Sequence, residues 1–324
     1  MGLVSEKAVR TLSLDDLDLA RLAEAENEAS EASKLVDESE LGEDDEVLSA
    51  VRRAHEMGYA GVILSGPPGT GKTWYAQQIG VALSGSWDAI RSVQFHPSYQ
   101  YEDFVFGYAP KEEGGFELRP KEFTRTCRDA AANPDTLHIL IIDEISRSDV
   151  VRVFGEALTY IETDKREQPF QVASGEELSV PKNLLIIGTM NPWDKGVDEL
   201  DMALERRFAQ VDLEPNAETL RRLLIERRVP TAFVERIVGF FEKLQEQQLE
   251  TVRLGHAYFL RCTDEDAAKT VWRLRLRPTL RRACRLEPAL FRIIEGFWDE
   301  ALKTEAAEPK VEDGNGMPDF SARD

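Results

Sequence analysis

The sequence predicts an α/β fold: a parallel sheet flanked by helices, followed by a smaller helical domain. Three observations carry that reading. Short apolar runs at 60–65, 137–142 and 184–188 have the composition of strands buried on both faces, and helical periodicity fills the spaces between them. A glycine-rich turn, Gly66-Pro67-Pro68-Gly69-Thr70-Gly71-Lys72-Thr73, joins the first run to a helix. Beyond Pro215 the strand pattern stops and long helical stretches follow. Strands that alternate with helices favour a parallel sheet, because parallel neighbours need a crossover connection.

Along the chain, residues 1–45 are acidic and are expected to be partly disordered, with an exposed helix at 12–35 and a solvated linker at 38–46. Residues 46–58 read as an amphipathic helix with Val47, Leu48, Val51 and Ala54 on one side. The strand 60–65, the glycine turn and a helix at 74–83 follow, then a strand at 92–95. Residues 97–120 are rich in aromatics and glycine and predict a hairpin insertion around 107–116. A helix at 122–132 is broken by Asn133-Pro134, and the strand 137–142 ends in Asp143-Glu144. One helix is predicted over 150–162 and a hairpin over 163–182, with Glu167-Gln168-Pro169 and Ser174-Gly175 as turn material. The strands 184–188 and 207–213 complete a core domain at 46–214. Helices at 217–228, 231–248 and 265–300, interrupted at Pro278, form the helical domain at 215–302. The polar stretch 303–324 reads as a disordered tail, and there is no internal repeat.

Composition narrows the function classes. The 324 residues are 42% hydrophobic, enough for a sizeable core, and 31% charged. No apolar run is as long as a membrane span, and the N-terminus lacks a basic-then-apolar signal segment. A cytoplasmic protein is expected. Cys127, Cys262 and Cys284 are far apart and form no CxxC pair, and the four histidines show no ligand spacing, so a disulfide framework or zinc site is not expected. The net charge of −20 argues against broad non-specific binding to nucleic acid. Yet residues 1–50 hold 15 Asp and Glu against 4 Lys and Arg, which leaves only −9 for the rest. A basic groove elsewhere is not excluded.

The glycine turn fits the pattern G-x-x-x-x-G-K-[ST], a loop whose backbone amides cradle phosphates. Residues Gly66 to Thr73 are therefore candidate nucleotide-binding residues. The helix after the loop adds free N–H groups, Lys72 adds charge toward the β and γ phosphates, and the Thr73 hydroxyl is a magnesium ligand. Asp143 and Glu144 end a strand that can lie beside this loop. Asp143 is a second candidate for Mg2+, and Glu144 a candidate to polarise the attacking water. Asn191 follows another strand and is a candidate to position that water; a turn or capping role is the alternative. Arg206 and Arg207 precede the last strand, either as surface charges or as arginine fingers that reach a neighbouring subunit's γ-phosphate. The arginine-rich stretch 273–285 reads first as a solvated helical face with internal ion pairs, and second as a contact for a partner or a phosphate backbone.

The order of these segments resembles the AAA+ ATPases: Gly66 to Thr73 as Walker A, Ile141-Ile142-Asp143-Glu144 as Walker B, Gly188-Thr189-Met190-Asn191 as sensor 1, and Ala203-Leu204-Glu205-Arg206-Arg207-Phe208 as the arginine-finger segment. Within them, over 46–290, it is similar to the McrB-like branch, the motors of modification-dependent restriction systems. The segments that carry this likeness are Phe95-His96-Pro97-Ser98-Tyr99, Asp143-Glu144-Ile145-Ser146-Arg147, Ile161-Glu162-Thr163-Asp164-Lys165-Arg166 and Gly255-His256-Ala257-Tyr258-Phe259. The resemblance implies a ring, a hexamer, with ATP or GTP and Mg2+ at subunit interfaces. It implies insertions that face a pore, and a McrC-like or other nuclease subunit as partner. DNA would be reached only through partners or the pore.

Three departures accompany the likeness. After sensor 1 the family prototype reads Asn-Thr-Ala-Asp-Arg-Ser, where this chain has Asn191-Pro192-Trp193-Asp194-Lys195-Gly196, which leaves ATP and GTP both open. Sensor 2 has only Arg253 and His256 as candidates, with His256 the better fit to a core histidine. Residues 1–45 are too few and too acidic for a base-reading domain, so target choice is expected in a partner. A MoxR-like chaperone that remodels proteins is the alternative function, disfavoured by the segment 95–104.

Overall fold

The computed structural model describes residues 39–112, 114–193 and 202–303, so the expected helix at 12–35 and all but the first residue of the expected tail at 303–324 lie outside the described residues. The chain divides into two compact units between Glu214 and Pro215. No helix among the described residues is long and apolar enough to cross a membrane.

The first unit opens with α1 (Glu46–Glu56), capped by the Asp45 carboxylate, which accepts from the amides of Val47 and Leu48. Strand β1 (Gly61–Ser65) leads through the glycine turn into α2 (Lys72–Ser84), and β2 (Ile90–Gln94) follows. A short α3 (Tyr101–Phe104) precedes an antiparallel hairpin of β3 (Phe106–Pro110) and β4 (Phe116–Pro120). Next come α4 (Glu122–Ala132) and β5 (His138–Asp143). Together β2, β5, β1 and two later strands, β8 (Leu184–Met190) and β9 (Phe208–Asp212), make one parallel sheet in the order β2-β5-β8-β1-β9.

Alternation along these strands divides the core into two layers. Val62, Leu64, Ile139, Ile141, Leu185 and Ile187 pack toward α1 and α2. Ile63, Leu140, Ile142, Leu184 and Ile186 face the other way, against Phe95, Phe104, Phe123 and Phe154. Side chains on successive strand residues point to opposite faces, so a strand covered on both reads as an unbroken apolar run.

The single helix expected over 150–162 is instead two, α5 (Val150–Phe154) and α6 (Ala157–Tyr160). Gly155 between them has φ +53°, and a Cβ there would meet the Tyr101 ring at 2.8 Å. Close packing against that ring needs both the missing side chain and the left-handed backbone, and the helix breaks. The hairpin expected at 163–182 is small, β6 (Phe170–Gln171) paired with β7 (Glu177–Leu178). Arg166 ties it to the sheet. Its guanidinium is buried and donates to the carbonyls of Ile161, Lys182, Leu184 and Ala60. Burial lowers its pKa to about 10, still charged at neutral pH.

In the first unit α7 (Met202–Glu205) precedes β9. The second unit holds α8 (Ala217–Glu226), α9 (Thr231–Gln245), α10 (Glu265–Val271), α11 (Arg277–Ala283) and α12 (Pro288–Leu302) around a core rich in aromatics. The Trp272 and Trp298 rings stack at 4.8 Å, and Phe240 meets Trp298 edge-on. The interruption expected at Pro278 is absent. A π-helical turn, Trp272–Leu276, joins α10 to α11, and the Arg277 amide donates to Trp272 O, five residues back. Pro278 falls in the first turn of α11, where an amide is not needed, and the break comes before Pro288 instead.

Replacing Arg166 with Ala should leave several buried carbonyls unmatched. The expected cost is about 3 kcal/mol of stability, read as a lower urea midpoint with an unchanged slope; a midpoint within error of the parent would contradict this account of the hairpin's attachment.

Candidate functional site

The sheet gathers the candidate residues by register. Ser65 of β1 lies beside Met190 of β8, and Ile142 of β5 beside Gly188. Gly66, Asp143-Glu144 and Asn191 therefore leave the sheet at one edge, the carboxyl edge, where ligands bind in open α/β sheets. In the glycine turn Gly69 and Gly71 take φ of +84° and +87°, and a Cβ on Gly66 would lie 2.3 Å from Leu213 O. The turn curls because these positions carry no side chain. The Lys72 ammonium bonds the carbonyls of Gly66 and Pro67, each at 2.9 Å, and the Thr70 hydroxyl bonds Pro67 O.

One carboxylate oxygen joins the parts. Asp143 Oδ1 accepts from the Thr73 hydroxyl at 2.8 Å and from the Thr189 hydroxyl at 2.6 Å. Thr189 in turn accepts from the Glu144 amide at 3.1 Å. This amide bond accompanies a left-handed backbone at Glu144, φ +55°, which is strained for a residue with a side chain. Arg147 donates to Glu144 Oε2 at 3.2 Å. Asn191 is buried at the end of β8, and its Oδ1 accepts from the Trp193 amide. Asp194 to Gly196 lie outside the described residues. The Thr73 hydroxyl and the Asp143 carboxylate are adjacent oxygen donors, the set that suits Mg2+.

Arg206 and Arg207 are not brought to this edge. Arg207 O accepts from the Ala60 amide, and Gly61 pairs with Phe208, so both arginines sit where β1 begins. The five residues of β1 separate them from the phosphate loop by about 17 Å. The two differ sharply. The Arg207 side chain is 6% exposed, paired with Glu162 and bonded to Ala203 O. The Arg206 side chain is 67% exposed and stands 3.6 Å from the same Glu162 oxygen. Lys165 also bonds Glu162 at 3.0 Å, and these cations, Lys165 first, hold its carboxyl below the usual range. A groove of about 700 Å³ opens here, lined by Met57, Tyr59, Glu162, Lys165, Arg206 and Arg207 among others. In the second unit His256 is buried, and burial lowers its pKa, as a core histidine requires. Arg253 bonds Gln247 O.

Sequence reasoning passed over Thr189 and Glu162 as working residues. Thr189 had a signal: it is a hydroxyl inside an otherwise apolar, doubly covered strand, where a buried polar group must find a partner. Glu162 had none beyond the motif around it.

Residues 61–208 match the family model described as the AAA domain (dynein-related subfamily). The subunit named "Type IV methyl-directed restriction enzyme EcoKMcrB subunit", from Escherichia coli (strain K12), is 37% identical over 230 residues, which is 65% of this chain and 50% of that protein. The core is similar to the AAA+ modules of McrB-like subunits. A Bacillus subtilis (strain 168) protein, "Type II restriction enzyme BsuMI component YdiS", is 28% identical over 193 residues, 47% of this chain and 56% of that one. The E. coli protein YehL, described as uncharacterized, is 28% identical over 208 residues, 57% of this chain and 54% of its own. The chain spans about half the length of the curated relatives it matches. AAA+ modules of this kind are nucleoside triphosphatases, and the edge formed by Lys72, Thr73, Asp143 and Glu144 is the part of this one that fits a nucleotide.

Thr189→Val keeps the shape of the strand and removes the hydroxyl between Asp143 and Glu144. Turnover should fall about tenfold, the worth of one charge-assisted hydrogen bond, with nucleotide affinity within about twofold; steady-state hydrolysis beside equilibrium titration of nucleotide checks both halves.

Proposed function

We propose that the chain is the motor of a McrBC-like restriction or anti-phage system: a ring of copies, a hexamer, that hydrolyses ATP or GTP and so drives or regulates a partner nuclease. The observation that carries the reading is the division of the catalytic groups. Phosphate-binding and water-activating residues occupy one edge of the sheet, while the exposed arginine stands a strand's length away. An arginine so placed cannot reach its own chain's γ-phosphate. It can reach that of a neighbouring copy, as an arginine finger supplied in trans does.

In this reading the loop amides and Lys72 hold the β and γ phosphates. Thr73 and Asp143 would hold Mg2+, which would supply positive charge at the phosphate oxygens. Glu144 draws the proton of the attacking water, and Asn191 orients that water. Arg206 neutralises charge in the neighbour's site, and Arg207 stays anchored on Glu162 to fix the turn that presents it. The partner is a McrC-like or other nuclease subunit, supported by the two relatives named as parts of restriction enzymes. The setting is the cytoplasm, and the system's target is chosen elsewhere in the assembly.

Glu144→Gln should bind nucleotide, fail to turn it over and hold the ring together, as seen by light scattering with nucleotide present. Arg206→Ala should cut turnover about 10³-fold without loss of nucleotide binding. Mixed with Lys72→Ala, it should regain part of the lost rate, because each variant supplies what the other lacks. No recovery in the mixture would remove Arg206 from a neighbour's site. Parallel assays with ATP and GTP, with and without the neighbouring gene's product, assign the substrate.

A further inference from the structure

We infer that the helical unit carries a binding groove for the phosphate backbone of double-stranded DNA. The groove, about 580 Å³, is lined by Arg273, Arg277, Pro278, Arg281, Arg282 and Arg285, on the π turn, α11 and the residues just after it. All five arginines are exposed. Of the solvated face with internal ion pairs expected from the sequence, the solvent exposure forms, but among the described residues the pairs largely do not. Arg277 alone pairs, with Glu295 at 2.8 Å. Among the described residues no carboxylate makes an ion pair with Arg273, Arg281, Arg282 or Arg285. Four unpaired guanidinium groups on one groove repel one another, and they lower that cost by taking an anion with several charges.

The chemistry narrows the anion. Every cation here is arginine, whose planar fork of donors matches phosphate oxygens two at a time. Arg273 and Arg281 are eight residues apart, about 12 Å along a helix, a length over which one DNA strand presents three or four phosphates. A protein partner is less well served, because interfaces need an apolar centre and the lining offers only Pro278. A single strand is also less well served, since among the described residues no aromatic ring lines the groove for bases to stack on. Duplex backbone needs neither. The net charge of −20 does not oppose this, because charges more than about 10 Å apart in solution are screened and, among the described residues, the groove's own charge is unbalanced. The inference rests on the groove and not on the restriction reading, and it gives DNA a direct contact with this chain.

The test uses the full chain and a fluorescent 30-base-pair duplex of arbitrary sequence, titrated from low to moderate KCl. The parent should bind with log K falling linearly against log salt. The triple variant Arg273→Ala, Arg281→Ala, Arg285→Ala should bind at least tenfold more weakly at low salt, with a slope smaller by about 2.7, at 0.9 per phosphate contact. The corresponding triple Lys variant should recover most of the slope. Basal nucleotide hydrolysis should be unchanged in both, which shows that the fold is kept. Four results would overturn the inference: no duplex binding by the parent, the same affinity and slope in the Ala variant, tighter binding of a 30-base single strand than of the duplex, or loss of self-assembly in the Ala variant with DNA binding intact.

Discussion

The candidate site depends on one oxygen atom. Asp143 Oδ1 receives hydroxyl protons from Thr73, on the helix that follows the phosphate loop, and from Thr189, on the adjacent strand. Three segments far apart in sequence are thus fixed to a single acceptor. Hydrogen bonds to a charged acceptor are each worth about 1.5–3 kcal/mol, roughly twice a neutral one. The sheet register makes the meeting possible, since β5, β8 and β1 lie side by side and end together. Thr189 does more than brace the aspartate. By accepting from the Glu144 amide it holds a residue in a left-handed backbone that a side chain disfavours, and so aims the second carboxylate. Strain of this kind persists only where the surroundings impose it.

The opposite edge has its own organising carboxylate. Glu162 takes the Arg207 guanidinium and the Lys165 ammonium and stands near Arg206. One anion among three cations cannot satisfy all of them equally. Geometry ranks them: Arg207 is enclosed and committed, while Arg206 is left exposed at a longer distance. Two adjacent arginines of the same type thereby come to sit in different surroundings. The buried one builds the turn, and the exposed one keeps its reach. Such a ranking is invisible in a dipeptide Arg206-Arg207 and follows only from which of them is buried against Glu162 and Ala203 O.

The parts of the fold that rest on local pattern were legible in the sequence. Buried parallel strands announce themselves as apolar runs, and the phosphate loop announces itself through glycines at positions that need positive φ or close approach. The parts that rest on distant neighbours were not. Gly155 breaks a helix because the Tyr101 ring presses on it, 54 positions earlier in the chain. Pro278 fails to break one because a π turn before it moves the helix start to a place where proline costs nothing. Among the site residues, Lys72, Thr73, Asp143 and Glu144 carry their chemistry in their type and spacing. Thr189 and Glu162 act as partners to other residues, and partnership is a property of the folded chain.

Charge shows the same limit in a different form. A net charge is a sum over the whole chain, whereas attraction at a groove is decided within about one screening length. Fifteen of the sixty acidic residues fall in the first fifty positions, and they weigh fully in the sum wherever they lie. What decides the potential at 273–285 is whether each guanidinium has a carboxylate within reach. Arg277 has one in Glu295, and its four neighbours in the groove have none among the described residues. Helical spacing alone suggests ion pairs along this face, because Glu287 and Glu295 are close in sequence to several of the arginines. The turn before Pro288 starts a new helix, α12, and so the acids and bases do not follow one continuous helical repeat. The break before Pro288 leaves the five arginines on one side of it and Glu295 on the other, and only Arg277 among them reaches across.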